Sequence, residues 1–232
     1  MSRSQVLRPR PPLPVRPPGS GRVLLAAVCA LLATAGVADL FSLYIGARLH
    51  SEVVRDDGFL SVGEEQLHTV QDLFGVADQL HAWAWVACAA AFVTWLHRMR
   101  RDAGAVAPDH FRKGPGWAIG AWFVPVACLW MPYRIAVDLW TVGLRTRGAV
   151  GTAGGSFWPV NLWWGSFAGS ILLRAYSGSR YGRAEDIGAL LDAVTLGMVA
   201  DALNLVAAAA AAHFALRLTG LLRPAAAPKG TS

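Results

Sequence analysis

The residues best placed to do chemistry are charged and amide side chains inside apolar stretches. Asp201 lies near the middle of the last apolar block, and Asn204, one helical turn on, shares its face. Arg134, Asp138, Thr141 and Arg145 recur at i, i+4, i+7 and i+11. They draw one polar stripe along an otherwise apolar helix, on which Arg134 can pair with Asp138. An ionisable group at membrane depth is costly, so each marks a candidate site. Arg134, Asp138, Asp201 and Asn204 therefore form a candidate intramembrane polar cluster. In a functional form, it surrounds a polar cavity lined by backbone freed at Pro125 and Pro132, as where broken helices build ligand sites. In a structural form, Arg134 and Asp201 neutralise one another and fix helix register, and the sequence favours this form. Asp192 falls on roughly the opposite face from Asp201, and Asp39 lies in the outer part of the first block.

Other constellations fall short of a site. His68, Asp72, Asp78 and His81 gather where a polar segment meets an apolar one, but without dedicated ligand spacing they read as a solvated rim. Cys29, Cys88 and Cys128 sit inside apolar blocks without a CxxC, as small buried hydrophobes. The chain has no GxSxG, HExxH or paired-aspartate motif to join a nucleophile to its base. The sequence predicts no enzyme, no cofactor and no metal.

The elements that hold these residues are membrane helices. The chain is 54% hydrophobic and 16% charged, with its apolar residues in long blocks. Blocks over about 23–46, 80–97, 116–140, 158–174 and 188–216 predict an all-α fold. It is a polytopic membrane helical bundle of four to five membrane segments, the third broken at Pro125 and Pro132. Residues 22–222 form this domain. Residues 1–21 are a Pro/Arg-rich cytoplasmic tail, extended or disordered, and 223–232 a flexible C-terminal tail. Ala33-Thr34-Ala35 resembles a processing site, but the apolar run continues past it, so the first block reads as an uncleaved anchor. Residues 50–78 read as an acidic external loop, with an amphipathic helix over 66–80 leading into the second span. Trp83, Trp85 and Trp95 are expected as interfacial anchors, and Trp158, Trp163 and Trp164 cluster at one end of their block. Gly116/Gly120 and Gly165/Gly169 have the spacing that lets helices approach closely within one chain.

The formal net charge is +6, and the arginines flank the apolar blocks. Orientation in a membrane with anionic lipid explains them better than nucleic acid. Two topologies fit. If the proline segment dips in and returns, four segments span and both termini lie inside. If it crosses, five span and the C-terminus lies outside. The first places more Arg and Lys inside. Yet 116–131, about 24 Å as helix, is nearly long enough to cross.

Three stretches carry a family resemblance. "WLHRMRRDA", "GPGWAIGAWFVPVACLWMPYRIAVDLW" and "LWWGSFAGS", with the closing "ALRLTGLL", resemble the actinobacterial membrane proteins of the domain of unknown function 4328 family. The likeness covers roughly 82–222. Asp102 and Cys128 stand where that family commonly has asparagine, so a cap or bridge made by those asparagines would be altered here. The resemblance implies a multi-pass membrane protein and no particular activity. The expected function is a non-enzymatic membrane scaffold or sensor, the alternative a small transporter or channel-like protein with its site at the broken segment. The expected partners are the lipid bilayer, anionic lipid at the Arg-rich cytoplasmic segments, and a second copy or another membrane protein. The expected place is the plasma membrane, with the N-terminus cytoplasmic.

Overall fold

A computed structural model describes residues 20–55, 64–148 and 155–222. The regular elements among the described residues are all helices, without strands. Apart from Ser20 and Gly21, the two expected tails lie outside them. Helix α1 spans Ser20–Arg55 and α2 Glu64–Val106. After a 3-10 turn at Pro108–His110 come a short α3, Trp117–Gly120, a second 3-10 turn at Ala127–Leu129, and α4, Met131–Thr146. Helices α5, Trp158–Tyr181, and α6, Ile187–Leu221, close the chain.

The helices outrun the apolar blocks that predict them. Helix α2 has 43 residues, about 65 Å, and joins the expected amphipathic stretch and the second block in one rod. Much of the expected external loop is thus helix. Hydropathy marks the stretch that suits lipid, whereas the hydrogen-bond ladder continues until a cap or a proline stops it. Asp186 supplies such a cap, its carboxylate accepting from the Ala189 N–H at 2.7 Å at the start of α6.

Among the described residues two helices, Gly21–Arg48 and Ile187–Leu221, are long and apolar enough to cross a membrane, where the sequence predicts four to five membrane segments. Helix α5 has ample length at 24 residues but carries Ser166, Ser170, Arg174 and Ser177. These serines turn inward, Ser177 donating to the Ala193 carbonyl of α6 at 2.8 Å.

The prolines of the broken segment play different parts. Pro132 stands in the first turn of α4, where its missing N–H is no loss, so it starts a helix rather than breaking one. Pro125 is the true break. Beyond it Val126 adopts φ 69°, ψ −52°, and the Ala127 N–H closes on the Pro125 carbonyl at 2.8 Å. This is the rare γ-turn of positive φ, a strained state for a β-branched residue. Around it, each backbone N–H over 117–124 and 127–130 donates to a backbone carbonyl. A segment so bonded can leave water without being a regular helix.

Contacts fix the direction of each element. Helix α6 packs between α1 and α5, and α1 also packs on α2. At one end the Trp95 indole N–H reaches the Thr219 hydroxyl, Trp158 lies on His213, and Arg147 donates to the Gly220 carbonyl at 2.7 Å. The close of α2, the start of α5 and the closes of α4 and α6 therefore share one end. The broken segment leaves from that end and returns to it. Between, it reaches inward, because Trp122 packs on Phe167, which stacks on Trp85 of α2. Trp85 and Met99, whose sulfur contacts Thr219, are about 21 Å apart along the helix.

Aromatic residues form the core. Phe92, Trp95, Trp140, Trp163 and Phe214 are buried together, with Trp163 stacked on Phe214 at 5.4 Å between centroids. Trp95 is thus a packing residue rather than the interfacial anchor expected, as is Trp163, while Trp83 and Trp158 are exposed. The close helix contacts also use other glycines. A Cβ at Gly36 or Gly46 of α1 would meet Leu205 or Met198 of α6 at 3.1 or 2.9 Å. At Gly116, Gly120 and Gly165 it would meet nothing, and at Gly169 only ordinary contact.

Candidate functional site

Polar side chains gather in two places. The first is inside the bundle. Asp201 and Asn204 share a buried face of α6, as their spacing requires. Neither meets Arg134. Asp201 pairs with Arg174 of α5, and Asn204 donates its amide to the Asp39 carboxylate of α1 at 2.6 Å. Asp39 is 0% exposed and Asp201 is buried, while the Arg174 side chain is 51% exposed, so α1, α5 and α6 are tied by two buried acids and a guanidinium that reaches one of them from the bundle's surface. Asn204 also touches a cavity of about 140 Å³ whose other walls are apolar, Leu32, Cys88, Phe92 and Trp122 among them.

The second lies at the shared end, where the broken segment leaves and re-enters the bundle. The expected cluster therefore divides, with Arg134 and Asp138 here, Asp201 and Asn204 inside. A cavity of about 610 Å³ opens between the close of α2, the loop before α3 and the first turns of α4. Arg100, largely buried, anchors its floor: the guanidinium donates to the Lys113 carbonyl at 2.6 Å and lies 3.5 Å over the Phe111 ring. His97 contacts the Pro115 carbonyl at 3.0 Å, fixing the far side of the loop. The Lys113 ammonium sits 4.3 Å over the Trp117 ring and 3.9 Å from the Met131 sulfur, closing the two limbs of the segment at its base. On α4 the polar stripe faces this loop. Arg134 and Asp138 line the cavity, Arg145 approaches His110 at 3.4 Å, and Thr141 turns back on the Val137 carbonyl.

The charges here do not balance. Arg100, Arg112, Lys113 and Arg134 line the cavity with His110, against the carboxylate of Asp138. Partial burial pushes the Asp138 carboxyl above its ordinary range, and His110, Arg134 and Arg100 pull it back. Burial lowers Arg100, and Asp138 partly offsets that. The site suits an anion, which these cations can hold through charge-assisted hydrogen bonds.

Sequence reasoning placed Arg100, Arg112 and Lys113 in the basic loop but missed them as walls of a site. The available signal was a dense basic run directly before a broken segment whose return carries another arginine. It also missed Arg174, which the expected end of the fourth segment left at its edge. Helix α5 continues to Tyr181, so Arg174 falls within it, beside an antiparallel α6. The expected rim of His68, Asp72, Asp78 and His81 falls on α2, with its side chains outside the described residues.

Residues 60–220 match the family described as a domain of unknown function (DUF4328), and the chain belongs to that family. Comparison with curated proteins and with solved structures gave no match.

Proposed function

We propose that this chain is a multi-pass plasma-membrane protein of scaffold or sensor type, without enzymatic activity. Helices α1, α2, α5 and α6 span, the proline segment is re-entrant, and both termini face the cytoplasm with the basic cavity. The observation that carries the reading is the shared end: the broken segment starts and finishes where the basic residues collect. The hydrogen-bonded N–H groups of its turns support immersion. Phe123, 79% exposed on the segment, supports a lipid-facing side. A scaffold role agrees with charges that are matched inside the bundle and unmatched at its cytoplasmic end.

The transporter alternative needs a polar path to membrane depth. Against it, the cavity at that depth is small and apolar-lined, and Arg134 lies at the mouth of the segment. Proteoliposome flux of phosphate and chloride separates the two. The scaffold reading expects no flux above protein-free vesicles. Flux abolished by Arg134→Ala would establish the transporter instead.

A further inference from the structure

We infer that the cavity at the mouth of the broken segment is a binding site for an anionic phospholipid, its headgroup phosphate held by Arg112, Lys113 and Arg134. The inference deepens the membrane reading above and rests on it. Charge complementarity comes first. Cations from the loop and from α4 converge on one space, Arg100 holds the loop in place from below, and Asp138 is too little to neutralise them. The His110 Nε2 atom, on the same wall, is buried with no hydrogen-bond partner among the described residues. A ligand phosphate would supply one.

The rest of the wall selects a lipid over free phosphate. Trp117, Trp130 and Met131 share the cavity with the cations, and both tryptophans are partly exposed, as at a headgroup boundary. From there exposed apolar side chains continue along the broken segment at Leu129, Val126 and Phe123. The surface thus changes from cationic to apolar over the distance that separates a headgroup from its acyl chains. Inorganic phosphate uses the first part alone. Basic pockets at the cytoplasmic ends of membrane helices are suited to such headgroups.

The test uses the full chain. Flotation with phosphatidylcholine vesicles comes first: a chain that does not co-float overturns the membrane reading and this inference with it. The chain in neutral maltoside detergent is then titrated with short-chain phosphatidylglycerol, short-chain phosphatidylcholine and inorganic phosphate. Saturable phosphatidylglycerol binding is expected, at least about tenfold tighter than phosphatidylcholine. Arg112→Gln with Arg134→Gln should weaken it by at least about tenfold, while Arg180→Gln with Arg183→Gln should not. The loop and α4 arginines are exposed, so folding is not at stake, and an unchanged circular dichroism melt checks this. Equal affinity for the two lipids, or an unaffected Arg112/Arg134 variant, would overturn the inference while leaving the membrane reading intact. So would inorganic phosphate binding as tightly as phosphatidylglycerol, which would make the site one for the free anion.

Discussion

The bundle interior and the basic cavity use the same residue types to opposite ends. Inside, each acid has an answering group on a neighbouring helix: Asp201 has Arg174, and Asp39 has Asn204. At the shared end of the bundle, cations face one another and the single cavity carboxylate, Asp138. A matched pair on packed helix faces spends its charge on helix register. An unmatched cluster beside water keeps it for a ligand. The difference teaches that the rarity of a charge at membrane depth is a poor guide to ligand binding. The balance of its surroundings decides.

The comparison is most easily broken from the inside. Arg174→Leu leaves the buried Asp201 without its partner and should cost about 2 kcal/mol in a detergent unfolding assay, less than breaking a fully buried pair because the arginine is half exposed, with Arg174→Leu plus Asp201→Leu recovering much of it. A full loss in the double variant would mean the pair is more than a register device. Next in size is packing around that layer. Gly46→Val drives a branched side chain toward Met198 and should cost about 1–3 kcal/mol. Gly165→Ala, with open space before it, should be neutral or stabilise by up to about 1 kcal/mol.

The cavity should respond in the other sense. Arg134→Gln should change stability by no more than about 0.5 kcal/mol while weakening anion binding, the reverse of Arg174→Leu. The smallest effect belongs to Asp138. Its carboxyl is raised by burial, so it is protonated before an ordinary carboxylate as pH falls. Protonation removes a negative charge facing Arg100 of α2, His110 and Lys113 of the loop, and Arg134 of α4. Anionic-lipid affinity should therefore rise as pH falls through that raised value. Asp138→Asn should tighten binding a few-fold at neutral pH and remove the carboxylate's share of the pH dependence. Both are read in the phosphatidylglycerol titration.

Much of the helical architecture was legible because apolar runs and helix-breaking residues follow a simple code. The positions of the apolar blocks, the break at Pro125 and the shared face of Asp201 and Asn204 follow from length, missing donors and a 3.6-residue period. The pairing was not. Periodicity says which residues share a face of one helix but not which helix lies opposite, so Arg134 was matched with Asp201 in place of Arg174. Pro132 was misread because a proline that breaks a helix and one that starts it differ only in what precedes them. Here that is the Val126 turn, a φ value no sequence pattern signals. The aromatic core was hidden for a similar reason. Tryptophan at a segment end suits both an interface and a packed interior, and only the third dimension separates Trp83 from Trp95.

The account rests on the broken segment returning to the side it left. Cysteines at Asp109, Ser156 and Ser179, each alone in a chain with Cys29, Cys88 and Cys128 replaced by alanine, test this with a membrane-impermeant thiol reagent on intact and lysed cells. All three positions are exposed in the structure. Asp109→Cys and Ser156→Cys, which flank the segment, should both be protected until lysis, while Ser179→Cys, near the opposite end of α5, should label from outside. Asp109→Cys and Ser156→Cys reporting opposite sides would make the segment a crossing helix and contradict the account.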